Sequence, residues 1–349
     1  MKLLKELSEA HGVPGKEDEV RRIMKREFSK YCEVEVDTMG NIIAQKGSGG
    51  KKVMLAAHMD EIVGGGGSPT LTIDSYIIVK HIDEKGFLRF ITLGGFYDPA
   101  LLNQRVYVHT EKGKIQGVIG SKPPHLMKEG ERKKTIEYRG MFIDVGARNR
   151  KDAGRMGVNV GDYITFDRSF SVLRKDMVTG KAFDNRLGCY VILEVAKRAK
   201  GNFTLYAVGT TQEGVGLKGT RTSAYRINLD IAIVVDATTT GDHPGVKEEA
   251  SAIKLGKGPA ITVVDAQGWG LLTHPKLKEL LINTAKKHKI PYQLEVGTTD
   301  ATAIQLTQEG VSTGVVSIPS RYIHTPVSVA NMKDVENCIK LITHALERV

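Results

Sequence analysis

The sequence predicts an α/β domain interrupted by a small β domain. Three observations carry this. Apolar runs ending in polar clusters recur in the first and last parts of the chain, as in residues 52–60 (KVMLAAHMD), the form of a buried strand in an α/β sheet. From residue 77 to about 177 the texture changes to short alternating segments separated by Gly-rich turns, which suits a small barrel or sandwich. Helical spacing of apolar residues opens and closes the chain. Its 349 residues suit one large domain or two modest ones.

Taken in order, Leu3, Leu4 and Leu7, then Val20, Ile23, Met24 and Phe28, mark two helices. Between them HGVPGKE (11–17) is a Gly/Pro turn. Residues 33–45 alternate as a strand, broken by a hairpin turn at Met39-Gly40-Asn41. The β-rich stretch offers strands at 77–82, 87–93, 105–109, 115–119, 141–145 and 163–166. After residue 181 come a helix at 189–199 and strands at 204–209, 231–236 and 261–264. A helix at 275–289, a strand at 314–318 and a final helix at 331–348 complete the pattern. The division expected is therefore α/β for 1–62 and 178–349, β-rich for 77–177, and a Gly-rich stretch of foreign composition at 63–76.

Composition excludes several classes. Apolar residues make up 41% and charged residues 26%, as in ordinary globular proteins. Cys32, Cys189 and Cys338 are too few and too scattered for a disulfide framework or a CxxC zinc site, and they imply a reducing, cytoplasmic setting. No apolar run reaches the ~18–20 residues that span a membrane, and the N-terminus lacks the layout of a signal peptide. The net charge is +10, but the basic residues are interleaved with acids. The densest run, KEGERKK (128–134), has no aromatic stacking residue. A solvated mixed-charge surface is the expectation, with no nucleic-acid or membrane partner.

The chemistry concentrates where apolar runs end. His58 and Asp60 follow KVMLAA, Glu213 follows LYAVGTTQ and Asp236 follows DIAIVV; Asp184 stands in KAFDNR and His324 in IPSRYIHT. Open α/β sheets build their sites at the carboxyl ends of strands. Two histidines with several carboxylates suit zinc, cobalt or manganese. A shared carboxylate permits two ions ~3.5–4 Å apart, and a further carboxylate can serve as general base. Metal-assisted hydrolysis, of a peptide bond first of all, is the reaction class implied. His11, His81, His109, His125, His243, His274, His288 and His344 lack such partners and read as surface or structural, although Asp242-His243 lies near enough to Asp236 to line a pocket. No Walker A loop occurs, and Gly214-Val215-Gly216 lacks the strand–helix context of a nucleotide loop.

These residues carry a resemblance to the TET aminopeptidases, the tetrahedral metallo-aminopeptidases that include glutamyl and deblocking enzymes. The matching stretches are AAHMDEI (56–62), KHIDEKGFLRF (80–90), SKPPH (121–125), GKAFDNRLG (180–188), TQEGVGLKG (211–219), GDHPG (241–245), TTDATAI (298–304) and RYIHTPV (321–327). They run in order over nearly the whole chain. The resemblance implies a zinc-peptidase-like mixed sheet flanked by helices, with the inserted barrel or sandwich serving dimerisation. It implies a dodecamer built from dimers as a hollow tetrahedron, and stepwise removal of N-terminal residues from peptides. It implies two zinc or cobalt ions per subunit. His58 would bind the first ion with Asp60 orienting it; Asp184 would bridge; Asp236 would complete the first site; His324 would bind the second ion. Glu213 would be the general base. Asp242, His243, Thr299 and Asp300 would line the substrate pocket.

Three departures from the family pattern stand out. The family reads QEE at the catalytic strand end, its second Glu binding the second ion; here that position is Gly214, a lost ligand that leaves the second site weakened. Residues 63–75 (VGGGGSPTLTIDS) contain GGGGS, the composition of a flexible tether, and read either as a natural Gly-rich loop or, on composition the favoured reading, as an engineered insertion. Val296-Gly297 leads straight into Thr298 where the family has a longer Gly-rich loop. The alternative to an active peptidase is therefore an engineered, catalytically impaired cage scaffold. A polysaccharide hydrolase ranks last, since aromatics are only 6%.

Overall fold

The computed structural model describes residues 1–61, 76–93, 97–247, 249, 251–265, 270–297 and 301–349. In chain order its strands are β1 (Glu33–Val36), β2 (Ile42–Lys46), β3 (Lys51–His58), β4 (Tyr76–Ile82), β5 (Leu88–Leu93), β6 (Arg105–Thr110), β7 (Gly113–Ser121), β8 (Met141–Asp144) and β9 (Tyr163–Phe166), then β10 (Ser171–Arg174), β11 (Met177–Gly180), β12 (Phe203–Thr210), β13 (Ile231–Thr239), β14 (Ala260–Asp265), β15 (Gln293–Gly297), β16 (Ser312–Arg321) and β17 (Ser328–Asn331). The helices are α1 (Lys2–Glu9), α2 (Asp18–Phe28), α3 (Glu129–Arg132), α4 (Arg150–Met156), α5 (Phe183–Arg198), α6 (Lys218–Ile227), α7 (Pro275–Lys287), α8 (Ala301–Gln305) and α9 (Met332–Leu346).

A mixed sheet runs β1-β2-β12-β3-β13-β16-β17-β11-β10, with β14 beside β16 and β15 beyond it. Side chains alternate across a strand, so the apolar run of β3 serves two cores. Val53, Leu55 and Ala57 enter the larger one with α1, α2, α5, α7 and α9. Met54 and Ala56 enter the other, beside Ala224 and Ile227 of α6 and Ile304 of α8. This two-sided burial is why KVMLAA shows no alternation. The β-rich stretch closes as a barrel, β4-β5-β8-β7-β6-β9, filled by residues such as Val79, Phe90, Val106, Ile143 and Phe166. No helix among the described residues is long and apolar enough to cross a membrane.

Some elements differ from expectation. The helix expected from residue 189 starts at Phe183, though Asp184 and Asn185 keep non-helical dihedrals. Helix α6 (KGTRTSAYRI) was not anticipated, because its sparse apolar residues make only a thin stripe. The short hairpin β10–β11 was missed because β10 is exposed at every residue. The insertion at 63–75 lies outside the described residues.

The barrel is tied to the sheet domain through histidines. Thr165 of β9 bonds His11 Nδ1 at 2.7 Å and His109 Nε2 at 2.8 Å. The His11 and His109 rings meet edge-on at 4.9 Å, and Lys114 pairs with Glu19 at 2.8 Å. Burial, aided by nearby lysine charge, pushes His11 down to about 3 and His109 to about 4. In the folded protein both stay neutral at pH values where unfolded imidazoles, near 6.5, already take protons. Their contribution is therefore whole above about pH 6.5 and is lost as pH falls toward the folded values. The expected result is a Tm that drops several degrees between neutral pH and about pH 4, with a shallower slope in a His11→Asn/His109→Asn variant. Equal slopes in calorimetry would remove the histidines from the account.

Candidate active site

Strands β12, β3, β13 and β16 run parallel, so their carboxyl ends share one edge. The chain leaves β3, returns to β12 on one side and then crosses to β13 on the other. Such a reversal of winding opens a crevice. His58 ends β3, in register with Thr210 at the end of β12. Asp236 lies near the end of β13, in register with Ser317. His324 follows β16, with φ in the left-handed region at 60°. Asp184 stands in the irregular first turn of α5, where the Asp184–Asn185 peptide is cis. Asn185 pins that turn by donating to the Val235 carbonyl at 2.8 Å and accepting from the Gly188 N–H at 3.0 Å.

The four expected ligands converge. His58 Nε2 lies 3.2 Å from Asp184 Oδ1, and His324 Nε2 lies 3.1 Å from Asp184 Oδ2. One carboxylate thus faces an imidazole on each oxygen. His58 Nε2 is also 3.8 Å from Asp236 Oδ1. The other ring nitrogen of His58 is 3.0 Å from the Asp60 backbone oxygen and 3.7 Å from its carboxylate, so the main chain makes the closer contact. Asp60 Oδ2 accepts the Gly214 N–H at 3.0 Å. Glu213 opens a short 3-10 turn behind Gln212, and one carboxylate oxygen lies within 4.8 Å of ligand atoms on His58 and Asp60. Gly214 is buried here and brings no side chain.

The donor set fits a divalent cation. A tetrahedral ion with bonds of ~2.0–2.1 Å separates its ligand atoms by roughly 3.4 Å. The 3.2 and 3.8 Å spacings around His58 straddle that value. Burial opposes a charge on His58, yet the Asp184 bond and the Asp60, Asp184 and Asp236 carboxylates raise its pKa well above the usual imidazole value. Burial likewise opposes charge on Asp184, but the two histidines hold its carboxyl well below the usual range. An anionic pocket that charges a buried imidazole favours positive charge at that point. Asp60 Oδ1 is buried and makes no hydrogen bond among the described residues.

Of the expected pocket residues, Asp242 is occupied. Arg321 grips it in a fork, Nε to Oδ1 at 3.0 Å and Nη2 to Oδ2 at 2.8 Å, and the Leu255 N–H adds a bond at 3.1 Å. This arrangement ties Asp242 to the loop that presents His324. The His243 ring stands 5.8 Å from that of Tyr322 in the same loop. Thr299 and Asp300 lie outside the described residues.

A buried ionic group next to the site residues in the chain is not announced by the sequence pattern. Lys181 Nζ meets both oxygens of Glu61, at 2.9 and 2.8 Å, and the Ala10 carbonyl at 2.9 Å. Arg186, fully buried, donates to the carbonyls of Met59, Leu7, Ala10 and Gly12. Glu61 also accepts the Gly12 N–H at 2.9 Å. These residues flank Asp60 and Asp184 in the chain, and the group locks the β3 end, the first α5 turn and the N-terminal turn together. The available signal was charge close to two of the site residues, Glu61 next to Asp60 and Lys181 and Arg186 within three residues of Asp184.

Comparison with known proteins gives a consistent picture. The M42 glutamyl aminopeptidase family matches residues 40–341, and the AMPT family matches residues 1–24. A TET aminopeptidase from a marine sediment Thaumarchaeota archaeon is 39% identical, with a TM-score of 0.92, over 100% of this chain and 96% of that one. The lysyl aminopeptidase of Pyrococcus furiosus is 34% identical over 99% of this chain and 96% of its own length. The Pyrococcus horikoshii TET1 peptidase is 30% identical with a TM-score of 0.86, covering 100% and 99%. That peptidase is described as assembling into a tetrahedron or a large octahedral shell, and a PhTET1-12s structure as a dodecamer.

Proposed function

Because the chain belongs to the M42 glutamyl aminopeptidase family, we propose that it is a metal-dependent aminopeptidase that removes N-terminal residues from peptides. The observation that carries this reading is the Asp184 carboxylate with a histidine on each oxygen, at the shared edge of the parallel strands, with Glu213 alongside. His58, Asp184 and Asp236 would hold the first ion, and Asp184 and His324 would reach a second. Zinc and cobalt suit these ligands. Bound there, such ions lower the pKa of a water and polarise a carbonyl.

The chain's own residues then divide the work. Glu213 takes the proton from the attacking water and delivers it to the leaving amine. Asp60 steadies the His58 ring and, through Gly214, the turn that carries Glu213. The Asp242–Arg321 fork steadies the His324 loop. Homo-oligomeric assembly, as a dodecamer built from dimers, is supported by the cage-forming relatives. Three free cysteines are in keeping with a cytoplasmic setting.

The test is release of chromophore from a panel of aminoacyl-p-nitroanilides with added zinc or cobalt, abolished by a chelator. Failure on every member of the panel, under both metals, would end this reading. A second reading, a cage subunit with impaired chemistry, rests on Gly214, which offers no ligand where the family pattern has a glutamate. Gly214→Glu is accordingly expected to raise tightly bound metal from about one ion toward two per chain. Elemental analysis after dialysis reads this directly. An unchanged metal content would sink the lost-ligand argument.

A further inference from the structure

Resting on the aminopeptidase reading, we propose that Glu17 is a positioning residue for the turn that carries Glu213, holding it through the Gln212 backbone N–H. The chain reverses tightly between β12 and α6. Gln212 and Leu217 both lie in the left-handed region, with φ of 54° and 58°, a conformation that residues with side chains rarely adopt. Local preference therefore does not keep Glu213 where it stands.

Side chains from elsewhere do so, each taking one N–H of the turn. Asn41 Oδ1 accepts from Thr211 at 2.9 Å, Glu17 Oε1 from Gln212 at 3.1 Å, and Asp60 Oδ2 from Gly214 at 3.0 Å. Asp60 also meets His58, and Asn41 also bonds Asp37, Gly219 and Thr222. Glu17 is only 2% exposed and has no ion pair among the described residues. Burying a carboxyl without a cation is costly unless hydrogen bonds recover the loss. Here its Oε1 spans two loops, accepting the Gly15 N–H at 2.7 Å as well as that of Gln212. Gly15, at φ +81°, gives that turn its sharp reversal.

The loop bearing Glu17 is a firm support. Arg186 holds the Leu7, Ala10 and Gly12 carbonyls, and Glu61 holds the Gly12 N–H. Glu17 carries this rigidity from the buried ionic group to the residue immediately before the proposed general base. Burial and the charge of Asp60 push its carboxyl up to about 7. The amide of glutamine is then a near-isosteric stand-in, keeping an oxygen acceptor at Oε1.

The experiment compares Glu17→Ala with Glu17→Gln. A misplacement of about 1 Å can cost on the order of 100-fold in rate. Glu17→Ala is expected to lower kcat by about that factor, with KM within about threefold and bound metal unchanged. Amide hydrogen exchange over residues 212–216 is expected to speed up in the same variant. Glu17→Gln should recover most of the rate and the wild-type exchange. The proposal is overturned if Glu17→Ala keeps both kcat and exchange protection, or if Glu17→Gln is as impaired as Glu17→Ala. If the wild-type chain hydrolyses no aminoacyl substrate, the aminopeptidase reading fails, and the exchange comparison alone decides for or against Glu17.

Discussion

Replacing Glu213 with Gln is expected to cut kcat on aminoacyl-p-nitroanilides by about 10²–10⁴-fold while leaving bound metal unchanged. Glutamine preserves the size and one oxygen of the side chain but cannot take a proton from water. Among the neighbours of Glu213 are His58 and Asp60, whose ligand atoms lie within 4.8 Å of its own. Its turn is held by backbone bonds that the substitution does not touch, including Gly216 and Leu217 N–H to the Glu213 carbonyl at 3.0 Å each. Stability should therefore change little. Two results would count against the assignment. A kcat within tenfold of wild type would mean that another group carries the proton. A fall in metal content would make Glu213 a ligand, which its closeness to His58 makes worth checking.

Asp184→Ala should have a comparable effect by a different route. Its carboxylate faces His58 on one oxygen and His324 on the other, at 3.2 and 3.1 Å. Removing it takes the shared anion from the centre of the cluster. Changes to groups that merely orient metal ligands already cost ~10–100-fold in affinity, so loss of the shared ligand is expected to exceed that. Metal retained after dialysis should fall to trace levels and peptidase activity with it. His58 would also lose the bond and one of the three carboxylates that keep its pKa high, so its pKa should move down. NMR titration of the imidazole in the metal-free protein checks that shift. Wild-type metal content in a folded Asp184→Ala protein, judged by circular dichroism, would exclude the bridging arrangement.

Much of this site was legible in the chain. His58, Glu213 and Asp236 each follow an apolar run, and buried parallel strands announce themselves by such runs without alternation. Since parallel strands end on one edge, residues placed just beyond the runs meet in space. Asp184 and His324 were legible through their motifs more than through pattern, since one stands in an irregular helix start and the other in a left-handed loop position.

What stayed hidden has a common cause. Glu17 meets Gln212 across 195 positions, Arg186 meets Leu7 across 179, and His11 meets Thr165 across 154. Asp242 pairs with Arg321 across 79 positions. Local pattern reports how a side chain sits relative to its own strand or helix, because periodicity is a property of one element. It is silent about which distant element packs against it. By itself, then, the sequence determined the class of fold, the β-rich insertion and the set of acids and histidines at the strand ends. The tertiary structure alone decided that Asp184 takes both histidines, that Asp60 holds Gly214, and that a buried Lys181–Glu61–Arg186 group joins the N-terminal turn to the site. Those pairings arise because buried polar groups must find partners wherever the packed chain brings them, and sequence distance plays no part in that demand.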